Sequence, residues 1–314
     1  SRQRPTESAT IMASLPPHKT TAMTLPPELL AFLSRANTLM QQLEATLPPA
    51  LPAVDWTATA FRWHSHQGRG GLVAVGAPHC LALDTLAGVE AQKAQLLRNT
   101  RQFVQGRSAN NVLLTGARGT GKSSLVKALL PEFAAQGLRL VEVDKQHLAE
   151  LTQILDCLAP RPERFILFCD DLSFEEGDDA YKALKSALDG GLSRRADNVL
   201  VYATSNRRHL MPERMADNLG QRAADGEIHP AETVEEKVSL SERFGLWLSF
   251  YPFDQDTYLA AVGVWLATFQ VPLDEAAQRA ALLWSLTRGA RSGRVAWQFA
   301  CDWAGRTAVE RLQG

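Results

Sequence analysis

The segment from Gly116 to Ser123, which reads GARGTGKS, constrains the fold of this chain more than any other stretch. Its glycines, lysine and serine occupy every fixed position of the pattern G-x-x-x-x-G-K-[ST]. An apolar run over 111–115 precedes it, and a helical pattern follows from Gly121 to about Gln136. Because glycines let the backbone curl so that successive N–H groups converge on one anion, the segment predicts a phosphate-binding loop between a strand and a helix.

The pattern also assigns roles to side chains in this loop. Lys122 is expected to reach the β- and γ-phosphates of a nucleotide, and the Ser123 hydroxyl to bind Mg²⁺. The predicted cofactors are therefore a nucleoside triphosphate and Mg²⁺. The predicted cofactor-binding residues of the loop are Gly116, Gly119, Thr120, Gly121, Lys122, Ser123 and Ser124.

Near-continuous apolar runs alternate with helical patterns after residue 84. Such runs are typical of parallel strands that are covered by helices on both faces. From Pro252 onward the pattern is helical throughout, with helices expected at about 256–269, 274–287 and 294–312. The predicted strands of the sheet are 111–115, 138–143, 165–169, 199–204 and 247–251.

These patterns divide the chain into three predicted parts. Residues 1–83 form a small N-terminal region with a disordered start, a helix after Pro26 and two short strands within 61–75. Residues 84–252 form a nucleotide-binding αβα domain, and 253–314 form a C-terminal helical domain. The predicted fold class is α/β: a P-loop αβα sandwich with a parallel sheet plus C-terminal helices.

Two carboxylates follow the apolar run that ends at Cys169. Ligands of open α/β sheets bind at the carboxyl ends of the strands, so Asp170 and Asp171 are expected to face the phosphate loop. We assign Asp170 to the Mg²⁺ side and Asp171 to the attacking water. Glu175 and Glu176 remain alternatives for the base, and capping of the next helix is the structural alternative for the pair.

Polar residues near two later strands extend this set. Asn206 follows the strand 199–204 and is expected to bind the attacking water or the γ-phosphate, unless it only marks a turn. Arg243 precedes the last strand, where a guanidinium suits charge on a transferred phosphoryl group. Arg294 opens the last helix and is preferred to Arg291 as an arginine that folds onto the nucleotide. For the arginines, the alternative is an ordinary surface position.

The composition excludes several classes of function. With a formal net charge of −1, the whole chain is not an electrostatic match for nucleic acid. The four cysteines lack metal-ligand spacing. No apolar run approaches the ~18 residues that a membrane helix needs. We predict a cytoplasmic protein that does not insert into membranes.

The order of these motifs resembles that of AAA+ ATPases. GARGTGKS matches Walker A, FILFCDD Walker B, ATSN sensor 1, SERFG the arginine-finger segment and RSGR sensor 2. The segments CDDLSFEEGD, YKALKSALDGG and LSERFGLWLSFYPF resemble a bacterial AAA+ family known only as a domain of unknown function. The resemblance implies that the nucleotide is ATP and that the helices of 253–314 form a helical lid over it. It also implies that residues 86–89 pack on adenine and that Arg243 acts on the nucleotide of a neighbouring subunit in a homo-oligomer.

One departure from the AAA+ pattern bears on the rate. Many AAA+ motors carry Asp-Glu where this chain has Asp170-Asp171, and the shorter side chain makes slow, switch-like turnover plausible. The main hypothesis is therefore an oligomeric P-loop ATPase that remodels or loads an unknown protein or nucleic-acid partner. The alternative is a nucleotide-gated scaffold that binds ATP with little turnover and presents surfaces to a protein partner.

Overall fold

A computed structural model of the chain describes residues 26–46, 53–66, 69–174, 178–189, 197–207 and 240–310. The chain divides into two compact units, residues 1–50 and 51–314. The first contains helix α1, Pro27–Thr46, close to the predicted helix after Pro26. Proline suits the first turn of a helix because its missing N–H has no intrahelical partner there.

The second unit is built on a mostly parallel sheet. In the described part of the chain this sheet has seven strands in the order β2-β1-β4-β5-β6-β3-β7. Only the β1–β2 pair is antiparallel among the pairings described. The strands are β1 Ala60–His66, β2 Arg69–Ala74, β3 Val112–Gly116, β4 Leu138–Glu142, β5 Arg164–Cys169, β6 Val199–Ser205 and β7 Leu246–Phe250.

Helices follow most of these strands, as predicted. The predicted helix from Gly121 to Gln136 is broken in the structure, because Pro131 cannot donate a hydrogen bond to the carbonyl of Lys127. The described helices of this unit are α2 Glu90–Val104, α3 Lys122–Lys127, α4 Leu129–Phe133, α5 Leu151–Leu158, α6 Asp179–Asp189, α7 Gln255–Thr268, α8 Glu275–Arg288 and α9 Gly293–Glu310.

The sheet is buried on both faces, which explains its apolar strands. Val112 and Leu114 of β3 pack in one core with α2–α4 and α7–α9. Leu113, between them, packs in a second core with α5 and α6. Successive side chains of a strand point to opposite faces, so a strand covered on both sides must be apolar throughout. The predicted α/β class with a parallel sheet is confirmed.

The predicted boundary at residue 84 requires a correction. The hairpin β1–β2 pairs with β4, where Phe61 lies opposite Val141, and it extends the same sheet. Phe61 and Trp63 are buried in the second core, and the Trp63 indole donates to Glu150 at 2.8 Å. The strands therefore belong to the unit 51–314 rather than to a separate N-terminal region. The helices after Pro252 lie in this unit too, and their action as a lid stays a prediction.

The strand order fixes where a ligand can bind. From β3 the chain passes over β6 and β5 to reach β4, whereas after β6 the next described strand is β7, on the far side of β3. The connections of the neighbouring strands β3 and β6 thus lead in opposite directions, and a crevice opens at the carboxyl ends of two such strands. The loop after β3 and the ends of β5 and β6 meet there.

No described helix combines the length and apolar character that a membrane crossing requires.

Candidate nucleotide-binding site

The loop after β3 has a backbone that depends on glycine. Gly116, Gly119 and Gly121 adopt φ values of 127°, 76° and 97°. Side chains disfavour this left-handed region, and a Cβ on Gly116 would lie 1.9 Å from the Phe250 carbonyl oxygen. Glycine at position 116 therefore lets the loop approach β7 closely.

This loop leaves its amide groups available. The Ala117 N–H donates to the Phe250 carbonyl at 3.2 Å. The N–H groups of 118–123 have no backbone acceptor among the described residues. A run of such N–H groups in a curled loop forms a concave site for anions, as the sequence pattern predicts.

Lys122 is the buried cation of the site, with 6% of its surface exposed. Its ammonium donates to the carbonyls of Gly116 and Ala117, both at 2.8 Å, and to Asn206 Oδ1 at 3.0 Å. Burial lowers the pKa of Lys122, and the neighbouring Asp171 and Asp170 oppose that shift. Burial disfavours the charged ammonium, and a negatively charged ligand in the loop would stabilise it again.

Asp170 meets two hydroxyl groups. The Ser123 hydroxyl donates to Asp170 Oδ1 at 2.6 Å, and the Thr204 hydroxyl donates to the same oxygen at 2.5 Å. Mg²⁺ prefers oxygen ligands, and usually takes one or two carboxylates together with waters and substrate phosphates. The described residues contain no cluster of three or more His, Cys, Asp or Glu side chains that could hold a metal. Ser123 and Asp170 fit Mg²⁺ that arrives with a nucleotide, because they offer a hydroxyl and a carboxylate oxygen side by side.

Asp171, the next residue, bonds to the Asn206 side chain. It has a positive φ of 51°, which is uncommon for residues other than glycine. Its carboxylate accepts from Asn206 Nδ2 at 2.5 Å, while Asn206 Oδ1 accepts from Lys122. The Asn206 side chain therefore connects the candidate base to the buried cation.

These residues line a cleft of about 680 Å³. Its polar lining includes the loop, Asp170, Asp171 and Asn206. Many other lining residues are apolar, and such walls suit a flat ring system of the size of a nucleotide base. Its apolar lining comprises Leu81, Leu86, Ala87, Val89, Phe253, Ala261, Trp265 and Trp297.

The two candidate lid arginines occupy different places. Arg294 lines the cleft, and its backbone N–H donates to the Gly119 carbonyl at 3.1 Å. The Arg291 carbonyl accepts from the Phe253 N–H at 3.2 Å, and Arg291 is not among the lining residues. The start of α9 therefore packs directly against the phosphate loop at the position of Arg294.

Arg243 lies at the opposite end of the strands from the phosphate loop. In the parallel pairing of β3 with β7, Val112 lies opposite Leu246, and Gly116 opposite Phe250. Arg243 precedes the amino end of β7, whereas the phosphate loop follows the carboxyl end of β3. The Arg243 Nε donates to Asp189 Oδ1 at the end of α6. The structure thus does not bring Arg243 to the cleft of its own chain.

Some lining residues were missed from sequence. Thr204 appeared only as a strand residue, although the polar run after Ala203 was a usable signal. The indoles of Trp265 and Trp297 meet at 4.7 Å between ring centroids, and no sequence pattern placed them beside the nucleotide loop. Glu175 and Glu176 lie outside the described residues, and so does the segment 211–237, whose polar sequence predicts a loop or a broken helix.

The fold and the site together define a P-loop nucleotide-binding protein with the AAA+ fold. The chain is similar to RuvB of Thermotoga maritima: one point mutant of that protein matches at 18% identity and a TM-score of 0.51, covering 73% of this chain and 67% of that one. A second point mutant matches at 18% identity and a TM-score of 0.50, with coverages of 73% and 66%. At this identity the likeness shows a shared fold.

The family is given by a sequence comparison. The model described as "Protein of unknown function (DUF815)" matches residues 56–307, and the chain belongs to this family. No curated protein sequence matches the chain significantly. The chain spans 62% to 67% of the RuvB chains to which it is similar.

Proposed function

We propose that this protein binds ATP with Mg²⁺ in the cleft and hydrolyses it to ADP and phosphate. One observation carries the proposal: Lys122, Ser123, Asp170, Asp171 and Asn206 converge through short hydrogen bonds beside a loop with available amide groups. The polar lining of the cleft suits the triphosphate, and its apolar side chains suit adenine.

Each side chain has a role in this reaction. Lys122 exchanges its bonds to loop carbonyls for bonds to the β- and γ-phosphates. Ser123 and Asp170 would hold Mg²⁺, which would neutralise charge on the phosphate oxygens when bound. Asp171 accepts a proton from the water that attacks the γ-phosphorus, while the bond from that phosphorus to the β-phosphate oxygen breaks. Asn206 orients this water, and Arg294 contacts the phosphates from α9.

We propose further that hydrolysis requires a second copy of the chain. Arg243 lies at the amino ends of the parallel strands, and the cleft lies at their carboxyl ends. The arginine of a neighbouring subunit is therefore the one suited to the γ-phosphate. The homo-oligomer would remodel or load a protein or nucleic-acid partner in the cytoplasm. A net charge of −1 favours recognition through a local surface rather than through overall charge.

Replacement of Lys122 tests nucleotide binding. Lys122→Ala removes the buried cation, and we expect ATP affinity to fall by about 10- to 100-fold, because hydrogen bonds to charged groups contribute about 1.5–3 kcal/mol. The matched control is Lys127→Ala on the same helix, whose ammonium contacts Glu142 at 3.3 Å outside the cleft. Calorimetric titration with ATP measures both variants. Equal affinities in the two variants would overturn the proposal.

Subunit mixing tests the second copy. Arg243→Ala and Asp171→Asn each should lower turnover, Arg243→Ala by about 10³-fold. Mixed in equal amounts, they should regain about a quarter of wild-type turnover, since random neighbours pair an intact cleft with an intact arginine that often. Arg243→Ala mixed with the double variant lacks any intact arginine and serves as the control. No rescue in the first mixture would contradict action between subunits.

A nucleotide-gated scaffold is the second candidate. The observation that favours it is the 2.5 Å bond from Asn206 to the Asp171 carboxylate, which already occupies one oxygen of the candidate base. Tight ATP binding with turnover at background, in wild type and Asp171→Asn alike, would select this function.

A further inference from the structure

The hydroxyl of Thr204 contacts both carboxylate residues of the site. Thr204 is the sixth residue of β6 and has 1% of its surface exposed. Its Oγ1 donates to Asp170 Oδ1 at 2.5 Å and accepts from the Asp171 backbone N–H at 2.9 Å. One buried hydroxyl therefore fixes the side chain of the metal-side residue and the backbone of the candidate base.

The backbone needs such support at this point. The ladder between β5 and β6 ends at the pair Cys169 and Ala203, so Asp170 and Asp171 follow the end of β5 outside the ladder. Asp171 then adopts its left-handed φ of 51°, a conformation that an L-residue keeps only when its surroundings hold it. The Leu172 N–H donates to the Thr204 carbonyl at 2.7 Å, so Thr204 holds this turn through its backbone as well.

The neighbours of Thr204 do not duplicate its contacts. Ser205 is equally buried, but its hydroxyl donates to the Leu172 carbonyl at 2.7 Å and contacts neither carboxylate. Asn206 reaches only the Asp171 side chain and Lys122 among the described residues. Among these three residues, Thr204 alone joins the Asp170 carboxylate to the Asp171 backbone.

We propose that Thr204 is a positioning residue that sets the geometry of Asp170 and Asp171 for Mg²⁺ and water. The proposal rests on the proposed function, since it concerns the same site. A hydroxyl that donates to Asp170 Oδ1 limits the rotation of the carboxylate that would hold the ion. Hydrogen-bonded partners of ligating carboxylates commonly alter metal affinity or activity by about 10- to 100-fold when replaced.

Three variants separate positioning from packing. Thr204→Val keeps the shape and removes the hydroxyl, and Thr204→Ser keeps the hydroxyl and removes a methyl group. Ser205→Ala is the matched control, because it deletes a buried hydroxyl one residue away that touches no carboxylate. Similar stability losses in Thr204→Val and Ser205→Ala would show that the two deletions disturb packing alike.

The first measurement is hydrogen exchange at the Asp171 amide in the protein without nucleotide. Thr204→Val removes the acceptor of this N–H, so its exchange should accelerate by about tenfold or more. Loss of one hydrogen bond changes the opening equilibrium by about that factor. Thr204→Ser and Ser205→Ala should exchange at the wild-type rate. Unchanged protection in Thr204→Val would overturn the proposal whatever the activity.

The second measurement is the Mg²⁺ dependence of ATP affinity and turnover. In Thr204→Val the half-saturating Mg²⁺ concentration should rise about tenfold or more, while ATP affinity in excess chelator stays at the wild-type value. Thr204→Ser should restore the Mg²⁺ dependence. A wild-type Mg²⁺ profile in Thr204→Val overturns positioning alone. Wild-type protein that binds no ATP overturns the proposed function, and the role of Thr204 with it.

Discussion

The two ends of the parallel strands differ in whether their polar groups are hydrogen-bonded within the protein. At the amino end, the buried Asn99 amide donates to the Asn110 carbonyl at 2.9 Å and to the Tyr202 hydroxyl at 3.0 Å, and its oxygen accepts from the Asn110 N–H at 3.0 Å. At the carboxyl end, the N–H groups of 118–123 have no backbone acceptor among the described residues. Closed networks add stability, whereas open groups keep bonding capacity for a ligand.

Glycine substitutions at the two ends should give the largest difference in stability. Gly116→Ala places a Cβ 1.9 Å from the Phe250 carbonyl at a φ of 127°, so we expect a loss of about 3 kcal/mol in the free energy of unfolding. Gly137, just before β4 at the amino end, has a φ of 92° but open space around its Cβ position. Gly137→Ala should cost only about 1 kcal/mol. Urea denaturation compares them, and equal losses would contradict the close approach at Gly116.

Replacement of Asn99 should separate stability from binding. Asn99→Ala removes the partner of the Asn110 N–H and carbonyl and one of the two hydrogen bonds of the buried Tyr202 hydroxyl, which keeps Thr100. We therefore expect a loss of about 2 kcal/mol in the free energy of unfolding. The ATP dissociation constant should stay within about twofold, because Asn99 lies outside the cleft. Asn206→Ala should show the reverse pattern. A tenfold change in ATP affinity for Asn99→Ala would erase the distinction between the two ends.

Alkaline pH should weaken the amino end. Burial raises the pKa of Tyr202 from its ordinary value of 10.0 to about 12, although hydrogen bonds with Thr100 and Asn99 oppose the shift. Between these values the unfolded chain loses a proton that the folded chain keeps, so stability falls as pH rises, by about 1.4 kcal/mol per pH unit from this group. Tyr202→Phe should remove this part of the slope. Urea midpoints from pH 9 to about 11 measure it, and an unchanged slope would contradict the burial of an ionisable hydroxyl.

The sequence predicted the carboxyl end better than the attachment of the hairpin. Gly116 to Ser123 carries its structure locally, and parallel strands bring Asp170 and Asn206 to the same edge whatever the details of packing. The pairing of Phe61 with Val141 joins residues far apart in the chain, and no local pattern specifies such a partner.

The role of Thr204 could not be predicted for a similar reason. A threonine in a strand is ordinary, and its hydroxyl meets Asp170 only because β5 and β6 pair in the register of Cys169 with Ala203. One residue of slip would turn that side chain to the opposite face. Register is set by the packing of both cores, which short motifs do not encode.

The separation of Arg243 from the cleft has a consequence for symmetry. A subunit that offers its arginine from one edge and needs one at the other presents two unlike surfaces, so successive copies add head to tail under the proposed function. Such contacts close into a ring, in which every cleft receives an arginine from a neighbour, or extend as an open filament. In the filament, the cleft of one terminal subunit lacks that arginine. A two-fold pair that buries one shared patch would leave both triphosphates without the arginine.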